Sequence, residues 1–119
     1  MIEVVWEMIV RQEAQGQFEL VFGPGGAWGK LFGTTPGFRG TTMLNDTHHP
    51  RRYLIIDLWD TEAQQAQALS EYADEYSELK ADLQNWTESR TEVGIFRIRA
   101  EATVRPRGKP SRGDRRSSW

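Results

Sequence analysis

The hydrophobic period of this chain switches from two to about 3.6 and back, and then does so again, which leaves few folds open. Over residues 2–10, "IEVVWEMIV" alternates: Ile2, Val4, Trp6, Met8 and Val10 fall on one side, and Glu3, Val5, Glu7 and Ile9 on the other. That is a strand with one wholly apolar and one mixed face. Ala14, Phe18, Val21 and Phe22 then recur at helical spacing until "GPGG" at 23–26 interrupts them, and a further turn or two carries Trp28, Leu31 and Phe32. Pro36-Gly37 predicts a turn before a second strand over 38–45, and "DTHHPRR" supplies the turn formers of a hairpin into a third strand over 52–59. Thr61 followed by Gln64 has the form of a capping box, so a helix is predicted to begin near Glu62. Leu69, Ala73, Tyr76, Leu79, Leu83 and Trp86 mark its buried stripe, and "TEVGIFRI" at 91–98 predicts a fourth strand.

The order is βαββαβ, so the expected class is α+β: a ferredoxin-like, four-stranded antiparallel sheet with the first and third strands at its centre and helices on one face. Leu54, Ile56 and Leu58 are expected under the helices with Trp6 and Met8. Tyr53, Ile55, Asp57 and Trp59 are then expected on the opposite face with Val5, Glu7 and Ile9. That face carries too many large apolar groups for water, so a second copy of the chain is the economical cover and a homodimer is expected.

A chain of 119 residues has room for one core, and a single domain is expected over residues 1–104. The net charge of −2 hides an asymmetry: residues 1–104 hold nine Lys and Arg against 16 Asp and Glu, whereas residues 105–119 hold six against one. An acidic body argues against nucleic acid as the main partner. The basic, Pro-, Gly- and Ser-rich end reads as a flexible tail, in which Arg112-Gly113-Asp114 is read as a chance tripeptide. There is no cysteine, which excludes disulfides and Cys-ligated metals. No window approaches the ~20 apolar residues of a membrane helix, and "MIEVVWE" lacks the basic start of a signal peptide, so no membrane partner and a cytoplasmic location are expected.

Asp57 stands out inside "YLIIDLW", because an ionised carboxylate in an apolar run is costly without a partner. Arg39, Arg97 and Arg99 are the expected partners in a structural reading; isolated among apolar groups, Asp57 would have a raised pKa and could act as a base. Trp6, Trp28, Phe32, Trp59, Tyr72 and Tyr76 could line an aromatic-binding pocket, and aromatics at these spacings equally serve as plain core. His48 and His49 are adjacent in the hairpin beside Pro50, which favours a solvated turn over a metal site. "GPGGAWGK" fails the spacing of a phosphate-binding loop, with five residues between Gly23 and Gly29 and Leu31 after Lys30.

"VVWEMIV", "FGPGGAWGKLF", "PGFRGTTMLND", "RRYLIIDLWDT" and "EYSEL" together resemble the antibiotic biosynthesis monooxygenase-like proteins of the dimeric α/β-barrel superfamily, over about residues 2–98. The resemblance implies a homodimer with facing sheets and, in each subunit, a pocket between sheet and helices. It also implies oxidation of a small aromatic or phenolic compound by dioxygen, with no metal, flavin or other cofactor. Asp57, Trp59 and Tyr72 are then the expected catalytic residues, with Trp6, Trp28, Phe32 and Tyr76 binding the substrate. Trp59 matches a tryptophan of the quinone-forming members, whereas the asparagine expected a turn earlier falls near Ile55. The haem-degrading pattern is absent, since Trp6 or Glu7, Ala68 and about Glu78 stand where its residues would be. The alternative expectation is a barrel of the same fold that binds a small molecule without oxidising it.

Overall fold

The computed structural model describes residues 1–101; the tail expected over 105–119 lies outside the described residues. Strand β1 (Ile2–Val10) leads through a short 3-10 turn (Gln12–Ala14) into helix α1 (Gln15–Phe22), and α2 (Ala27–Phe32) follows the glycine-rich break. Strands β2 (Phe38–Asn45) and β3 (Arg52–Trp59) form the hairpin, helices α3 (Glu62–Glu71) and α4 (Ala73–Trp86) follow, and β4 (Thr87–Arg97) closes the unit. The sheet is antiparallel in the order β2-β3-β1-β4, so β1 and β3 are central, as the βαββαβ pattern requires. No described helix is long and apolar enough to cross a membrane.

Local chemistry accounts for the element ends. The Thr61 hydroxyl caps α3 by accepting the Gln64 backbone N–H at 3.1 Å. In the β2–β3 turn the Asp46 carboxylate accepts the backbone N–H groups of His48 (2.8 Å) and His49 (3.1 Å), so both histidines are exposed and belong to the turn. Gly26 lets the chain pass close over α1: a Cβ there would lie 2.0 Å from the Leu20 carbonyl oxygen, which only glycine avoids.

The third strand is turned over relative to the sequence expectation. Trp6 pairs with Ile55, Val4 with Asp57 and Met8 with Tyr53, and directly paired residues of an antiparallel ladder share a face. Tyr53, Ile55, Asp57 and Trp59 are therefore buried beneath the helices with Val4 and Met8, while Leu54, Ile56 and Leu58 lie on the open face with Val5, Glu7 and Ile9. Alternation could not decide the parity, because residues 53–59 of β3 are apolar on both sides apart from Asp57, and that charge misleads.

Two further boundaries differ. The single helix expected after Glu62 is broken at Tyr72 (φ −109°, ψ 35°), although the Tyr72 and Tyr76 N–H groups still reach the carbonyls of Ala68 and Tyr72. No Pro or Gly marks this break. Strand β4 begins at Thr87 rather than Thr91, because the polar "TESR" pairs along the flank of β1 as far as Val10.

Candidate functional site

A cavity of about 230 Å³ lies between the helix-covered face of the sheet and the helices. Val4, Trp6, Asp57, Trp59 and Glu92 reach it from β1, β3 and β4; Trp28, Phe32, Gln65, Leu69 and Tyr76 reach it from the helices. The break at 23–26 lets α2 fold back over the sheet, which brings Trp28 above Asp57. The aromatic walls brace one another: Trp28 to Phe32 at 4.9 Å, Phe32 to Trp59 at 5.9 Å and Trp28 to Tyr76 at 5.9 Å between ring centroids, all near edge-to-face.

Asp57 is 4% exposed and no arginine reaches it among the described residues. Of the expected partners, Arg39 instead pairs with Asp60 at 2.8 Å, and Arg97 and Arg99 are exposed and make no salt bridge among the described residues. Asp57 lies in the helix-side core, not at the open face where sequence parity had put it. Its Oδ1 accepts the Thr41 hydroxyl at 2.6 Å and the Trp28 indole N–H at 3.0 Å; its Oδ2 accepts no hydrogen bond among the described residues. Burial raises the carboxyl pKa from 3.8 to about 6 against the opposing pull of the two donors, which favour the charged form. The result is a carboxylate anchored through one oxygen and still basic near neutral pH. Burial also raises the Tyr76 phenol, with Arg90 opposing and Asp57 and Glu92 reinforcing the rise.

The structure thus brings Trp6, Trp28, Phe32, Asp57, Trp59 and Tyr76 to one cavity, and does not bring Tyr72 there. Tyr72 is four residues from Tyr76, but the break centred on it takes it off the regular helical path. Sequence reasoning missed Thr41, Gln65 and Glu92. Thr41 is the cross-strand neighbour of Asp57 and becomes visible only once the β2–β3 register is known; Gln65 and Glu92 look like ordinary surface residues. Among the described residues no group of His, Asp and Glu side chains is arranged to hold a metal ion.

No protein-family model matches the sequence, and no curated protein matches it. Solved structures do match in shape. SnoaB, a cofactor-independent oxygenase from Streptomyces nogalater, superposes with a TM-score of 0.66 at 23% identity, over 87% of this chain and 95% of that one. A conserved protein from Methanosarcina mazei Go1 gives 0.64 at 19%, over 81% and 90%. A structure described as an antibiotic biosynthesis monooxygenase gives 0.58 at 15%, over 87% and 100%. The fold is that of the antibiotic biosynthesis monooxygenase-like proteins. At these identities the likeness is one of fold, so what the monooxygenase-like fold does in this chain has to be argued from its own cavity.

Proposed function

We propose that this chain is a cofactor-independent monooxygenase that oxidises a small phenolic compound with dioxygen, with Asp57 as the base. The observation that carries the reading is a buried carboxylate, poised near neutral pH, on the wall of an aromatic cavity. Trp6, Trp28, Phe32 and Tyr76 form the binding walls, Trp59 closes the β3 side and helps exclude water, and Tyr72 has no part.

In the proposed reaction, Asp57 Oδ2 takes the phenolic proton and the resulting anion supplies electrons to dioxygen. A carbon–oxygen bond forms at the ring carbon para to the hydroxyl, and the proton held by Asp57 passes to the distal oxygen, giving a hydroperoxide. Loss of the ring C–H proton with cleavage of the O–O bond then releases water and leaves a quinone. The balance is one phenol and one dioxygen to one quinone and one water.

The open sheet face supports a homodimer as the working form. Leu54, Ile56 and Leu58 lie there beside Val5 and Ile9, and Leu44 and Phe96 are 46% and 49% exposed. The test of the enzymatic reading is oxygen uptake with 1-naphthol and other phenols that carry a hydrogen para to the hydroxyl, using wild type and Asp57→Asn. Quinone formed in step with oxygen by the wild type, and lost in a folded Asn variant, is expected. Binding without oxygen uptake would make the chain a small-molecule-binding protein of the same fold.

A further inference from the structure

A groove of about 380 Å³ runs between the 22–29 segment and β2, and shares no lining residue with the Asp57 cavity. Phe22, Pro24, Phe38 and Met43 give it apolar walls, and no charged side chain lines it among the described residues. Thr41 and Met43 pair with Asp57 and Ile55, so the groove opens on the helix side of the sheet and stays clear of the face proposed for the dimer. Its floor is bare. Gly29 lies inside α2 without a positive φ, and a Cβ there would meet no other part of the chain within 4 Å. Glycine in a helix interior is less stable than alanine, and neither backbone conformation nor packing among the described residues explains it here. Gly40, at φ +133°, likewise leaves open space over β2. A surface kept free of side chains at the expense of its helix is suited to receiving a flat group from elsewhere, and a groove of this size takes a bicyclic ring.

The chain itself holds such a group. Arg97 pairs with Ile2, Ile2 with Trp59 and Trp59 with Phe38, so β4 ends in the same row across the sheet in which β2 and the groove begin. Three strand spacings put that end about 14 Å from Phe38. Ile98 stays there, its N–H donating to the Met1 carbonyl at 3.0 Å. Residues 102–119 follow, and a segment of that length spans up to about 60 Å. Trp119 is the one aromatic residue in it. Charge favours the return, because residues 105–119 carry six Lys and Arg against one Asp, whereas residues 1–104 carry nine against 16 Asp and Glu. The uncharged groove suits the indole, and the acidic surface around it suits the cations. Tethering also keeps the indole at an effective concentration on the order of millimolar, above that of indoles on other chains in dilute solution.

We propose that the C-terminal segment folds back along its own chain and seats the Trp119 indole in this groove, over Gly29 and between Pro24 and Met43. The occupant then lies beside Thr41, whose hydroxyl holds Asp57 Oδ1 at 2.6 Å, although the docking does not rest on the monooxygenase reading. Isotopic labelling of the methionine methyl groups in the full chain tests it by NMR, because Met43 lines the groove and Met8 is buried in the core without lining it. Trp119→Ala is expected to shift the Met43 methyl signal through loss of the indole ring current and to leave Met8 in place. Gly29→Leu fills the floor, so in that background removing Trp119 should no longer move Met43. Labelled wild type refolded with excess unlabelled Trp119→Ala chains should keep Met43 at its wild-type position, since each chain supplies its own indole. A Met43 signal indifferent to Trp119 would overturn the proposal and leave the groove to a ligand from outside the chain. A response that persists in Gly29→Leu would overturn the placement in this groove. Reversion of Met43 on refolding with the variant would overturn the intramolecular docking in favour of a second copy's tail. The first and third measurements use an unaltered groove and hold even if Gly29→Leu fails to fold.

Discussion

Replacing Asp57 with Asn should change stability in a way that depends on pH, with a sign set by the burial of the carboxylate. The folded-state pKa is raised from 3.8 to about 6. Below about pH 3.8 the group is neutral in both folded and unfolded states and costs nothing extra; as the pH rises toward 6 the unfolded chain ionises first, and native stability falls. Above about pH 6 the loss is complete, about 3 kcal/mol for a shift of this size. Asn cannot ionise, so the stability difference between variant and wild type should move by about 3 kcal/mol in favour of Asn between pH 3.5 and pH 7.5. Offset against this is the amide N–H that replaces the unbonded Oδ2, at about 1 to 3 kcal/mol if it finds no acceptor. That cost does not vary with pH, so it displaces the difference curve without changing its slope. Urea unfolding followed by tryptophan fluorescence across this range, at one fixed protein concentration, measures the curve for both proteins, and subtraction removes the other carboxylates. A flat difference would mean that Asp57 is not desolvated. A difference of opposite sign would mean that a cation holds its pKa down, and either result would remove the ground for calling it a base.

If Asp57 is the base, the acid limb of kcat/KM against pH should fall near pH 6; Thr41→Val should move that limb upward by removing a hydrogen bond to the charged form, and Thr41→Ser should restore it. Ile56→Glu should yield a folded monomer, because Ile56 lies on the open sheet face; sedimentation would show the change from twice the 13.7 kDa chain mass, and an unchanged dimer would place the interface elsewhere. Thr61→Ala should cost about 1 kcal/mol through loss of the α3 cap, read by thermal unfolding. Tyr72→Phe should leave the affinity for 2-naphthol unchanged while Tyr76→Ala weakens it, and a loss in Tyr72→Phe would mean that Tyr72 reaches the ligand after all.

The strand order, the central pair and the α3 start were legible in the sequence because each rests on local chemistry: alternation in β1, the spacing of Phe18 and Phe22 in α1, and the Thr61–Gln64 cap. The face of β3 was not, because it rests on pairing. A one-residue slip in register exchanges the two faces of a strand, and "YLIIDLW" offers large apolar groups to both. The same slip hid the site. Asp57 was singled out by its cost, but its donors, Thr41 across the hairpin and Trp28 from α2, are 16 and 29 residues away in sequence and are joined to it only by the fold. Glu92 and Arg90 gave no signal, since a polar residue on an edge strand reads as solvated until the neighbouring helix is in place.

The ambiguity of β3 is itself informative. A strand with one wet face alternates cleanly, whereas a central strand apolar on both sides is the pattern of a sheet covered on both sides. The helices cover one side of this sheet, the side that carries Tyr53, Ile55, Asp57 and Trp59. The residues of opposite parity, Leu54, Ile56 and Leu58, are as apolar as that set and have no element of the same chain over them among the described residues. The same two-sided pattern that concealed the parity therefore supports the proposed self-complementary cover. Turning the strand over does not weaken the argument for it, because the open face exchanges one set of large apolar residues for another. What the turn does change is the position of the buried acid: at a subunit interface Asp57 would have to find a partner's arginine, whereas under the helices it meets an indole, a threonine and a cavity. Only the second setting leaves a basic oxygen available for chemistry.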